Sequence, residues 1–172
     1  MRRICCTLVT LSSLVLLAGS ATADDRAITR LRGCDEVPAI WSPGGAHFEA
    51  TIDESAGTVS WTMSYGTLNG NITQSHIHFA QKGVNGGIWV FLCSNLGNGP
   101  AGTQHCPAAP ATISGTFSAS DIIGGAAAQG IQVGDFGPAL RAMKTGTTYV
   151  NLHTDKYPGG EIRGQLTVTP NP

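Results

Sequence analysis

The stretch Ala46-His47-Phe48-Glu49-Ala50-Thr51-Ile52-Asp53, then Glu54-Ser55-Ala56-Gly57, then Thr58-Val59-Ser60-Trp61-Thr62-Met63-Ser64-Tyr65, alternates apolar and polar residues almost without a break. Successive side chains of a strand point to opposite faces, so this rhythm marks two half-buried strands. Ala46, Phe48, Ala50 and Ile52 share one face of the first, and Val59, Trp61, Met63 and Tyr65 one face of the second. The short Gly-containing turn between them makes the pair a hairpin.

The same pattern extends outward. Over 74–80, Ile77 and Phe79 oppose His76 and His78. Residues 88–92 are apolar at every position, as expected of a central strand covered on both faces. A short strand is expected over 111–117. Strands over 147–154 and 161–169 flank Asp155-Lys156-Tyr157-Pro158-Gly159-Gly160, where Pro158-Gly159 fits the centre of a type II turn. Between these groups, Ser120-Asp121 can cap a helical turn at Ile122-Ile123, and Asp135 can cap a helix over 136–144 anchored by Leu140 and Met143 and stopped at Gly146. Seven or eight short strands with Gly-rich turns, and one or two short helices in a crossover, predict an all-β Greek-key β-sandwich.

The N-terminus reads as a processing segment. Arg2 and Arg3 precede an uncharged apolar run over 4–17, and small residues end in Ala21-Thr22-Ala23. That order is a secretory signal peptide over 1–23 with cleavage after Ala23, which leaves a domain over 24–172 with its core over about 28–168. The run is shorter than the roughly 20 residues of a membrane span, and no second apolar run follows. The expected location is secreted, periplasmic or extracellular. Of ten basic side chains Arg2 and Arg3 leave with the signal, so eight remain against eleven acidic ones. Without a basic stripe the chain is not expected to bind nucleic acid, which requires clustered Lys and Arg against phosphate.

Cleavage also removes Cys5 and Cys6 and leaves Cys34, Cys93 and Cys106. A bridge between Cys93 and Cys106 would staple an aperiodic Gly-, Asn- and Pro-rich loop, with Cys34 then free, buried or paired with another chain. Zinc held by the cysteines is the rival reading, against which stands the lack of a C-x-x-C pair.

His76 and His78 stand at i and i+2, so both imidazoles leave one face of a strand, with Cα atoms roughly 6–7 Å apart. Two such nitrogens can converge on one Cu or Zn ion. His153 shares the Asn151 face of another strand. If the two strands are neighbours, the three histidines form a metal pocket, with Glu161 across the hairpin orienting a ring. The competing reading is a hydrogen-bonded network of His153, Asn151, Glu161 and Arg163 that fixes strand register. Glu161 and Arg163 share a face of the last strand, where a cross-strand salt bridge is expected and an anion or carboxylate site is the alternative. Trp61, Tyr65 and Trp89 read as core, and Trp41 as an exposed contact residue. Asn71-Ile72-Thr73 is a glycosylation sequon. There is no G-x-S-x-G, and Ser75 points away from His76, so no hydrolase constellation is expected.

Three segments resemble the CHRD domain family, the module repeated in chordin. Leu31-Arg32-Gly33-Cys34-Asp35-Glu36-Val37-Pro38 is similar to its opening motif, and Ser75-His76-Ile77-His78-Phe79 with Gly86-Gly87 to its middle one. The closing motif is matched at length by 149–154 and 158–166. Cys34 departs from the small or polar residue expected there. The resemblance implies an exported protein with an immunoglobulin-like or superoxide-dismutase-like sandwich and no general catalytic activity. The expected role is therefore a non-enzymatic binding or structural module for a protein or polymer partner; the alternative is a Cu- or Zn-binding protein.

Overall fold

A computed structural model describes residues 24–170. The signal peptide and its cleavage after Ala23 lie outside the described residues.

Among the described residues there are nine strands and one α-helix, besides three short 3-10 turns: β1 Asp25–Arg32, β2 Gly45–Asp53, β3 Thr58–Tyr65, β4 Ile72–Phe79, β5 Gly87–Ser94, β6 Ala111–Ser118, α1 Phe136–Lys144, β7 Thr148–Thr154, β8 Ile162–Gln165 and β9 Thr167–Thr169. The predicted hairpin is β2 and β3, paired antiparallel from Ala46↔Tyr65 to Asp53↔Thr58. Its inward rows, Phe48, Ala50, Ile52, Val59, Trp61, Met63 and Tyr65, are all buried. Helix α1 covers the expected residues and buries Leu140 and Met143; Gly146, at a left-handed φ of 70°, ends the turn that follows.

The mostly β, antiparallel expectation holds, but hydrogen bonding does not divide the strands into two sheets. They form one sheet in the order β5-β4-β7-β8-β1-β2-β3-β6, with β9 added on β1. The β8–β1 junction is thin, a single residue pair Arg32↔Arg163. The two end strands are brought nearly to closure by Gln104, whose carbonyl accepts from Ser94 N–H of β5 while its Nε2 donates to Ser114 O of β6. The sheet is thus nearly closed into a barrel, with a loop residue bridging its two end strands.

Three local expectations are corrected, and strand β1 is added to them. Strand β5 is not central but ends the sheet; its free edge is bonded by Ile123 N–H at Trp89 O and by Ser94 N–H to Gln104 O, and Ile88 and Phe91 stay partly exposed. Strand β1 escaped the alternation test because inward Ala27 and Leu31 flank Thr29, while apolar Ile28 points outward. The expected strand over 161–169 breaks at Leu166, where pairing passes from β7 to β1. Pro158 and Gly159 do occupy the centre of a turn closed by Gly160 N–H on Tyr157 O, but the positive φ falls on Gly160 (127°), so the turn is not type II.

Candidate metal centre

Strand parity decides where the histidines go. On β4, Ser75 and Ile77 face the barrel interior and are fully buried. His76 and His78 therefore leave the outer face. On β7, Val150 and Leu152 point in, so Tyr149, Asn151 and His153 point out. β4 and β7 are antiparallel neighbours, with His76↔Asn151 and Gln74↔His153 opposite one another, which brings the three rings together. All seven positions of β7 are buried. Its outer face is therefore covered by more than the sheet, and the contacts below show that the β1–β2, β4–β5 and β7–β8 connections do the covering.

One ring nitrogen from each of His76, His78 and His153 lies within 4.8 Å of the others. His78 Nδ1 is 3.0 Å from Gly86 O, and His153 Nδ1 is 2.9 Å from Pro158 O. A carbonyl only accepts, so each Nδ1 carries the proton and each Nε2 is left with a free lone pair. His153 Nε2 stands 3.2 Å from His76 Nδ1. His78 Nε2 and His76 Nε2 are buried without a hydrogen-bond partner. Two nitrogens about 2.0–2.1 Å from a shared ion stand roughly 2.9–3.5 Å apart at common coordination angles, so the 3.2 Å separation suits two ligands of one metal.

The rings are held on their faces as well. His78 stacks on Tyr149 with centroids 4.6 Å apart, and Phe91 meets His76 edge-on at 4.4 Å. Burial keeps the imidazoles neutral, the state a ligand needs. It holds His76 down to about 2, helped by His153 and His78. It holds His78 down to about 4, against the opposing pull of the Gly86 hydrogen bond. His153 is also lowered, chiefly by burial.

The expected neighbours are redistributed. Glu161 does not orient a ring and does not pair with Arg163. It is fully buried and accepts from Ser42 Oγ, Asn69 N–H and Thr154 Oγ1, tying three loop segments together. The carbonyls of Gly86 and Pro158 take the ring-orienting role instead. Arg163 pairs with Glu36 at 2.7 Å, donates to Asn85 Oδ1 at 2.6 Å, and lies over the Tyr149 ring. Asn151 also donates to Glu36, and to Ile162 O. Burial raises the Glu36 carboxyl while Arg163 pulls it down. Sequence reasoning missed Glu36 and Tyr149. Tyr149 was findable, since it shares the parity of Asn151 and His153; Glu36 lies 127 positions from Arg163 and carried no such signal.

Cys93 and Cys106 form a disulfide, which sets aside a cysteine zinc site, and Cys34 is free and exposed. Trp61, Tyr65 and Trp89 are core, and Trp41 is 95% exposed. His47 pairs loosely with Glu49, and His105 bonds Asn95, both apart from the trio. No helix among the described residues is long and apolar enough to cross a membrane.

Comparison with curated proteins and with solved structures returned no significant match. The family model of the CHRD domain matches residues 28–166, nearly all of the described chain. The chain belongs to the CHRD domain family.

Proposed function

We propose that this domain is an exported, non-enzymatic module that holds one transition-metal ion at His76, His78 and His153. The carrying observation is that two backbone carbonyls, Gly86 O and Pro158 O, accept from Nδ1 of His78 and His153 and leave both Nε2 lone pairs free, buried and close to His76. Export is supported by the leader-like N-terminus and by the disulfide, which persists in oxidising compartments.

Imidazole suits both copper and zinc. Charge separates them. All three ligands are neutral, Glu36 is matched by Arg163, and Arg163 is near enough to disfavour charge on His78 and His153. The cost of burying an ion rises with the square of its charge, so monovalent copper fits this environment better than a divalent ion, which would need an added anion such as hydroxide.

The 3.2 Å contact between His76 and His153 favours a second reading, in which His76 donates to His153 and the trio simply fixes register. The fully exposed Trp41 would then mark a surface for a protein or polymer partner. Elemental analysis of the purified mature protein and titration with buffered Cu(I), Cu(II) and Zn(II) decide between them. Near one equivalent of copper, lost in His78→Ala with the fold retained, supports the metal module. Uptake no greater than in that variant returns the histidines to a structural role.

A further inference from the structure

On the outward face of the barrel, where β8 and β1 are joined only through Arg32↔Arg163, the surface opens into a groove of about 770 Å³. Eight basic side chains lie in 24–170. Four of them, Arg30, Arg32, Lys82 and Arg163, line this groove; the other four are Arg26, Arg141, Lys144 and Lys156. Of eleven acidic side chains only Asp35 lines it. In a chain of net charge −1 that is a strong local concentration of one sign.

The four cations are not equivalent. Arg163 is committed to Glu36 and Arg32 to Asp35. Arg30 and Lys82 are exposed and have no ion-pair partner among the described residues. Concave walls of one sign focus the field and raise the local concentration of the opposite charge. Beside the cations stand exposed Thr167 and exposed His47, and half-buried Ile28 supplies an apolar floor. Two unpaired cations, polar side chains and an apolar patch together match a chain that carries carboxylates, hydroxyls and C–H faces. An acidic peptide would match the charges as well, and poly-glutamate tests that alternative directly. The volume falls within the usual range for a ligand site.

We propose that this groove binds an acidic oligosaccharide, with Arg30 and Lys82 taking its carboxylates. This inference is independent of the metal centre, since neither residue touches the histidines or their supports.

Isothermal titration of the mature protein with galacturonate oligomers at low salt tests it. Binding should weaken steeply as salt rises. Arg30→Ala/Lys82→Ala should lose at least tenfold in affinity, while Arg141→Ala/Lys156→Ala, which removes the same charge elsewhere, should change less than twofold. Neutral maltohexaose and poly-glutamate are the comparison ligands. No galacturonate binding, equal losses in both double variants, or poly-glutamate bound as tightly as the oligomer would each overturn the proposal.

Discussion

Nδ1 of His76 lies 3.2 Å from Nε2 of His153, a separation that fits either a hydrogen bond or two ligands of one ion. Without a metal, His76 must carry its proton on Nδ1 and donate it, because His153 has already given its own Nδ1 proton to Pro158 O. A metal held by the two would need both lone pairs, which would put the His76 proton on Nε2.

Metal binding should therefore stabilise the fold by mass action. A ligand at a hundred times its Kd adds about 2.7 kcal/mol, which for a domain of this size raises Tm by about 5–10 °C. We expect that shift from Cu(I) in scanning calorimetry of the native protein, and none in His78→Ala. An equal shift in the variant would place the copper elsewhere.

Acid should weaken the metal-free domain through the same rings. His78 and His76 titrate lower in the folded protein than their ordinary value of 6.5, so the unfolded chain binds more protons below that pH. Their contribution is whole above pH 6.5 and is lost as pH falls towards about 4 for His78 and about 2 for His76. Each pH unit in that window costs up to about 1.4 kcal/mol per ring. Urea titrations at pH 7.5, 5.5 and 4.5 in chelator should show the decline, and His78→Phe, which keeps the stacking on Tyr149, should flatten it. Parallel profiles would mean that His78 contributes nothing to the acid sensitivity.

The buried pair Glu36–Arg163 should behave as a unit. Glu36→Gln leaves the Arg163 charge buried without a counter-charge, at a cost of about 3–5 kcal/mol. Adding Arg163→Met to that variant should recover part of the loss, because the stranded charge goes with it. Denaturation of the two single variants and the double variant measures the coupling. Strictly additive losses would show that the two side chains are energetically independent.

Gly160 bears on the same pair. A Cβ built there would come 2.6 Å from Glu36 Oε1 and 2.7 Å from Asn151 Nδ2, on a backbone whose φ is already 127°. Gly160→Ala should destabilise the fold by more than about 1 kcal/mol and, by pushing Glu36, alter the Arg163 contact as well. A variant as stable as the parent would show that the turn can shift at no cost.

Legibility followed sequence distance. The i, i+2 spacing of His76 and His78 settles that they share a face, and parity along β7 puts His153 beside Asn151. What alternation cannot supply is which strands become neighbours, and so the meeting of β4 with β7 was only conditional. Arg163 pairs with Glu36 rather than with Glu161 because Glu161 sits just before β8, among loops that claim its oxygens. The single sheet was hidden for a related reason. Its near-closure depends on Gln104, a loop residue with no periodic neighbours.

The disulfide reinforces that closure. Cys93 is the last residue but one of β5, and Cys106 lies two residues beyond Gln104, so the bridge holds the closing segment against β5 while the Gln104 side chain bonds β6. Constraining a loop of 13 residues is worth about 3 kcal/mol in the chain-entropy account. Cys93→Ala/Cys106→Ala should lose about that much in urea denaturation and show faster amide exchange at Ser94, whose N–H bonds Gln104 O. Cys34→Ser, at an exposed position, should change neither. Unchanged exchange at Ser94 would mean that the hydrogen bonds of Gln104 close the barrel without the bridge.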